Sequence, residues 1–189
     1  MGKIVLFMHV SLDGFASGPN GEMDWIVIND EVFDYGSKHI TATNTALYGR
    51  KTFEMMEAYW PTAADQLNAS KHDIEHSAWY ASARKVVLSN TLDAGDFENT
   101  TVIGADFVSV LKKLKNEVSG DILLFGSPTA AHSLLSVRLI DASWINVSPV
   151  LIGKGVPAFA AIKDRMKMKL VDTHVFECGV VSLRHEVVR

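Results

Sequence analysis

The chain has 189 residues, 48% of them hydrophobic and 21% charged, with 18 Lys and Arg against 22 Asp and Glu for a formal net charge of −4. This is the composition of a globular protein with one substantial core; it excludes disordered and fibrous classes, and its acidic balance speaks against a dedicated nucleic-acid binder. A single cysteine, Cys178, excludes an internal disulfide framework and the paired-cysteine zinc and redox motifs, and it fits a reducing, cytoplasmic setting.

The first ten residues lack the pattern of a secretory signal, and no apolar run approaches the roughly 20 residues that span a bilayer. No membrane association is expected, and the Asn-x-Ser/Thr tripeptides at Asn68, Asn99 and Asn146 carry no weight without export. In chain order, Ile4 to Met8 reads as a buried strand, followed by a turn-rich stretch from Ser11 to Gly21. Asn29 or Asp30 caps a helix running to about Ile40. Thr45 to Tyr48 is the next strand and Arg50 to Tyr59 the next helix. An irregular stretch from Pro61 to Ser70 then leads to a helix near Ile74 to Ala83. Strands follow at Lys85 to Leu88 and Thr101 to Ile103. A helix over Asp106 to Val118 carries Phe107, Val110, Leu111 and Leu114 at helical spacing. Asp121 to Phe125 is strand-like, and Ser127-Pro128 opens a helix with Ser as N-cap and Pro at its first position. Ser143 to Val150, Lys167 to Phe176 and Val180 to Val187 are strand-like, the last two forming an antiparallel hairpin around Cys178-Gly179. An α/β start with a β ending predicts a mostly parallel sheet with antiparallel edge strands, in a single domain over 1–189.

Three strand ends carry candidate chemistry. Gly126-Ser127-Pro128-Thr129 takes a strand into a helix, and the unpaired N–H groups of such a junction suit a phosphate as well as they suit a plain cap. Gly49-Arg50-Lys51-Thr52 repeats the arrangement and puts two cations where the helix dipole disfavours them, which invites an anion. Ser89-Asn90-Thr91, a turn by composition, supplies hydroxyl and amide groups at a third strand end, where open α/β sheets bind ligands. Together the three fit a dinucleotide better than an isolated phosphate. The glycine loops of the common nucleotide folds are missing. His72-Asp73-Ile74-Glu75-His76 matches an inverted zinc-peptidase pattern but has no third ligand downstream at helical spacing, so no metal site is expected.

The order and spacing of several short motifs resemble the dihydrofolate-reductase-like superfamily, and within it the reductase domain of the bacterial bifunctional deaminase-reductases of riboflavin biosynthesis. The motifs are Ser11-Leu12-Asp13-Gly14, Met23-Asp24-Trp25, Gly49 to Glu54, Val86 to Asn90 and Phe125-Gly126-Ser127. Leu139-Ile140-Asp141 and Ser148 to Gly155 with Phe159 complete the set. The resemblance implies a three-layer α/β/α fold with a mostly parallel sheet and a C-terminal antiparallel hairpin, and NADPH as cofactor. It implies that Gly49, Arg50, Lys51 and Thr52 form the first phosphate-binding turn, and that Ser89 and Asn90 lie near the adenosine ribose with its 2′-phosphate. Gly126, Ser127 and Thr129 form the second phosphate turn, where many relatives carry a Gly-Gly pair.

By the same resemblance the Ser11 to Trp25 loop covers the nicotinamide, with Ser11 and Trp25 lining the substrate pocket. Asp30 stands at the spacing of the carboxylate that supplies the proton in dihydrofolate reductases, with Glu31 and Asp34 as nearby competitors and Asp13 as a second catalytic candidate; Asp30 and Asp13 each also have a structural role available, as a helix cap and as a turn tie. The implied activity is NADPH-dependent hydride transfer to a small heterocycle or sugar imine, of the 5-amino-6-(5-phosphoribosylamino)uracil reductase type. Dihydrofolate reductase and a nucleotide-binding protein without turnover are the alternatives. A homodimer is expected from the relatives.

Overall fold

The computed structural model describes residues 1–95, 97–160, 162 and 164–189. Its elements in chain order are β1 (Ile4–Ser11), β2 (Phe15–Ser17), α1 (Asp30–Ile40), β3 (Thr45–Gly49), α2 (Arg50–Ala63), α3 (Lys71–Ser82), β4 (Arg84–Leu88) and β5 (Thr100–Ile103). They continue as α4 (Phe107–Glu117), β6 (Ile122–Phe125), α5 (Pro128–Ser136), β7 (Ala142–Ser148), β8 (Val156–Pro157), β9 (Met168–Val175) and β10 (Val181–Val187). The chain forms two compact units, one of Met1–Gly2 with Asp30–Leu123 and one of Lys3–Asn29 with Leu124–Arg189.

In the first unit β3, β4 and β5 run parallel in the order β5-β4-β3. All five residues of β3 are buried, as expected of an apolar run that a parallel sheet covers on both faces. Leu47, Tyr48, Phe53, Tyr80, Leu111 and Ile122 are fully buried and make its core, each such side chain contributing about 1.5–3 kcal/mol of transfer free energy. Helix α3 begins three residues before the predicted start, because Ser70 caps it. The Ser70 hydroxyl accepts from Asp73 N at 3.1 Å, and the Asp73 carboxylate accepts from Ser70 N at 2.8 Å. Helix α2 continues past its expected end through Pro61, which lies in its last turn.

In the second unit the order is β1-β7-β10-β9. Strands β1 and β7 pair parallel, with Phe7 opposite Trp144 and His9 opposite Asn146. Strand β10 pairs antiparallel with both β7 and β9, so the C-terminal hairpin forms as predicted and turns at Cys178-Gly179. Ile4, Leu6, Leu124, Leu134, Ile140 and Trp144 are fully buried here. A small antiparallel pair, β2 with β8, was not anticipated; strands of three and two residues are too short to show a hydrophobic period. The mixed α/β class, the mostly parallel sheet and the C-terminal antiparallel pair all agree with the sequence reading.

Candidate functional site

In the first unit, β3 delivers the chain to Gly49, which stands at the N-cap of α2 in extended conformation with φ −82°. A glycine cap has no side-chain oxygen, and the first turn of α2 holds no acidic residue. The positive end of this helix therefore carries Arg50 and Lys51 with no carboxylate in its first turn. Arg50 is exposed and steadied from two sides: its Nε lies 3.6 Å from Glu54 Oε1, and its Nη1 donates to Thr91 Oγ1 at 3.4 Å. Parallel pairing sets Gly49 opposite Leu88, so the turn after β4 falls beside the start of α2. In that turn Ser89 Oγ accepts from Thr91 N at 3.1 Å and Leu92 N at 2.9 Å, while Ser89 N donates to Ile103 O at 3.0 Å. Gly49, Arg50, Lys51, Thr52, Ser89 and Asn90 are thus brought to one edge of this unit. Thr91, predicted only as part of the turn, joins them as the contact of Arg50.

Asp30 is the first residue of α1, followed by Glu31, and is exposed. Its neighbour on the same helix, Asp34, is occupied by Lys71 at 3.0 Å. The two imidazoles of the zinc-like pattern are packed against rings. His72 stacks on Phe33 with centroids 3.6 Å apart, and His76 lies 4.0 Å from Trp60 and 5.0 Å from Trp79. Burial lowers both, His76 to about 3. Among the described residues no three His, Cys, Asp or Glu side chains converge to hold a metal.

In the second unit the Ser11-Asp13 turn and the Ile152-Gly155 segment are one clasp. Asp13 Oδ2 accepts from Gly153 N at 2.7 Å, and Oδ1 accepts from Ile152 N at 3.3 Å and from Ser11 Oγ at 2.6 Å. Ser11 Oγ in turn accepts from Phe15 N at 3.0 Å, and Ala158 N donates to Gly14 O at 3.0 Å. These donors, the Ser11 hydroxyl first, hold the Asp13 carboxyl below the usual carboxylate range. Gly155 is required by the same clasp, since a Cβ there would sit 2.1 Å from Ser17 O. Trp25, half-buried, donates from Nε1 to Glu22 O at 3.1 Å, within the Ser11 to Trp25 loop.

The Gly126-Thr129 junction departs from its expected form. Ser127 occupies the N-cap position and Pro128 the first helical position, but Ser127 is left-handed with φ 54° and its side chain makes no capping bond. Gly126 before it is left-handed too, at φ 49°, and its N–H donates to Phe7 O at 2.7 Å. Left-handed backbone turns the Ser127 hydroxyl away from the cap geometry, which needs extended φ and ψ. The start of α5 therefore has no side-chain cap, like the start of α2.

The model of the RibD C-terminal domain matches residues 2–182. The chain belongs to the RibD C-terminal domain family. The Bacillus subtilis protein YyaP is 32% identical over 185 residues, which span 96% of this chain and 93% of that one. Among solved structures, a diaminohydroxyphosphoribosylaminopyrimidine deaminase/5-amino-6-(5-phosphoribosylamino)uracil reductase of Thermotoga maritima superposes at TM-score 0.67 with 16% identity. It covers 99% of this chain and 57% of its own. Dihydrofolate reductase of Enterococcus faecalis, in complex with NADP(H), superposes at 0.64 with 16% identity, covering 100% and 98%. The RibD C-terminal domain described here therefore has the dihydrofolate-reductase-like fold, and it is reductase-like by family.

Proposed function

We propose that this RibD C-terminal domain is an NADPH-dependent reductase. It transfers hydride to a small heterocycle or sugar imine, in the manner of 5-amino-6-(5-phosphoribosylamino)uracil reductase in riboflavin biosynthesis. The observation that carries this reading is the start of α2. Two cations, Arg50 and Lys51, stand on a helix N-terminus with no side-chain cap and no first-turn acid, beside the hydroxyls of Ser89 and Thr91. Like charges gathered at the positive end of a dipole are unfavourable until an anion joins them, and a dinucleotide phosphate supplies that anion. The donor set also suits it, since Arg50 offers forked donors while Ser89 and Asn90 offer neutral groups for a ribose phosphate. The uncapped N-terminus of α5, with Gly126, Ser127 and Thr129, is a second place for a phosphate.

NADPH, when bound, supplies the hydride. The chain's own residues bind, orient and protonate. Asp13 serves by fixing the loop that carries Ser11 and Trp25, because its carboxylate is taken up by three donors of the clasp. Asp30, exposed at the start of α1, is the proposed proton source for the acceptor. A homodimer and a cytoplasmic location complete the proposal; among the described residues no helix is long and apolar enough to cross a membrane. Thermal unfolding with NADPH, with NADH and without ligand tests the cofactor, because specific binding raises the midpoint by mass action. A midpoint that moves with neither nucleotide refutes the reading. A midpoint that moves without oxidation of NADPH across pteridines and aminopyrimidine ribosides makes this a nucleotide-binding protein without turnover.

A further inference from the structure

One face of the β1–β7 pair in the second unit carries two polar atoms that the protein leaves unsatisfied. His9 Nδ1 and Asn146 Oδ1 are both buried and neither has a hydrogen-bond partner. They are opposite one another in the parallel register, His9 to Asn146. They also point to the same side. Phe7 and Trp144, each two residues earlier on its own strand, are in ring contact at 4.3 Å, and side chains two apart on a strand share a face. Asn146 is 2% exposed, so its orphaned oxygen is far from bulk water. A buried acceptor without a donor costs about 1–3 kcal/mol, and proteins rarely keep two side by side without a use for them.

The surroundings fix both groups in place. The Phe7 ring meets the His9 ring edge-on at 5.4 Å. Trp144 Nε1 donates to Ser182 Oγ at 2.7 Å, and Ser182 is opposite Asn146 on the other side, on β10. Phe7 and His9 remain half-exposed as residues, so the row is not sealed from solvent. Burial lowers His9 to about 4, which keeps its ring neutral at pH 7. The pair itself therefore offers no charge. It presents an amide oxygen that must accept, an imidazole nitrogen that donates or accepts according to tautomer, and an aromatic wall next to them.

We propose that His9 and Asn146 form a ligand-binding pair on the β1–β7 face, taking the N–H-bearing edge of a flat heterocycle whose body lies against the part-exposed ring of Phe7. The proposal rests on the reductase reading for the identity of that heterocycle as the hydride acceptor. Asn146 Oδ1 accepts the ring N–H, and His9 pairs with the neighbouring polar atom of the same edge.

The test uses the intact protein without nucleotide, so that it does not depend on the cofactor. The probes are 5,6-diaminouracil, which carries ring N–H donors, and its 1,3-dimethyl derivative, which lacks them. Binding is followed by calorimetry. Wild type is expected to bind diaminouracil at least about tenfold more tightly than the dimethyl derivative. Asn146→Leu is expected to bring diaminouracil down to the level of the dimethyl derivative, whose own affinity does not change. The thermal midpoint of Asn146→Leu without ligand is expected to equal or exceed that of wild type, since an orphaned acceptor has been removed. Equal binding of the two probes by wild type overturns the proposal without any variant, as does tighter or unchanged diaminouracil binding by Asn146→Leu. If the probe discriminates as expected while NADPH neither binds nor is oxidised, the pair stands and the reductase reading falls. NADPH binding with no discrimination between probes is the reverse result.

Discussion

His76 makes acid sensitivity a measure of whether the zinc-like pattern on α3 is packing or chemistry. Its ring is 8% exposed and packed against Trp60 and Trp79. Burial, with the nearby His72 adding to it, lowers its pKa from 6.5 to about 3. In the unfolded chain it titrates at its ordinary value. Above pH 6.5 both states hold it neutral and it contributes no pH dependence. Between 6.5 and about 3 only the unfolded chain takes the proton, so stability falls as the pH falls. The slope is about 1.4 kcal/mol per pH unit, and the loss reaches about 2 kcal/mol by pH 5. His76→Leu keeps a side chain of similar bulk and removes the proton site. Urea unfolding followed by tryptophan fluorescence at pH 7.5, 6 and 5 reads the difference between the two proteins. The absolute offset at pH 7.5 reflects packing; the quantity that matters is its change with pH. The variant is expected to gain about 2 kcal/mol on wild type between pH 7.5 and 5. His9 and His72 act with the same sign in both proteins and cancel. A difference that does not change with pH would show that His76 takes its proton in the folded state, and stoichiometric zinc retained through dialysis would make the two imidazoles ligands instead.

Arg50→Ala removes a forked cation from the start of α2 and is expected to weaken NADPH binding about tenfold or more by calorimetry, in line with a charged hydrogen bond; wild-type affinity would take this helix end out of the cofactor site. Ser127→Gly relieves a left-handed non-glycine residue at φ 54°. A gain of about 0.5–1 kcal/mol in urea unfolding is expected after the entropy of the added glycine, and a loss would mean that the Ser127 side chain holds the turn. Gly155→Ala places a methyl 2.1 Å from Ser17 O. It is expected to cost about 1–3 kcal/mol and to loosen the β2–β8 pair, read as faster amide exchange at Ser17 and Val156; unchanged exchange would show that the clasp does not depend on that close approach.

Much of the fold was legible because its signals are local. β3 is an apolar run with no polar face, α4 has apolar residues at helical spacing, and the hairpin around Cys178-Gly179 alternates between two strand-rich runs. What escaped has no period to read. β2 and β8 owe their pairing to a clasp between residues far apart in the chain, in which Asp13 takes the N–H groups of Ile152 and Gly153. The motifs Ser11 to Gly14 and Ser148 to Gly155 were visible separately, and only the fold explains why they occur together. Ser127 was legible as a cap by residue type and position. The left-handed turn that disables its side chain depends on the preceding Gly126, whose own φ of 49° no sequence pattern announces.

The candidate site divides in the same way. Arg50 and Lys51 were readable because a cation at a helix start contradicts the dipole, and a contradiction with a physical rule is visible one residue at a time. Ser89 and Asn90 were readable because strand ends of α/β proteins bind ligands. His9 and Asn146 offered nothing of that kind: one is a lone histidine in an apolar strand, the other the start of a chance Asn-x-Ser. Their meaning arises only when the β1–β7 register sets them opposite one another and burial leaves Nδ1 and Oδ1 without partners. An unsatisfied pair is a relation between two strands, whereas a misplaced charge belongs to one. The groups proposed to bind the cofactor are of the second kind, and for that reason they stand out in the sequence. The groups proposed to tell one acceptor from another are of the first kind, and a relation of that kind can be read only once the β1–β7 register is known.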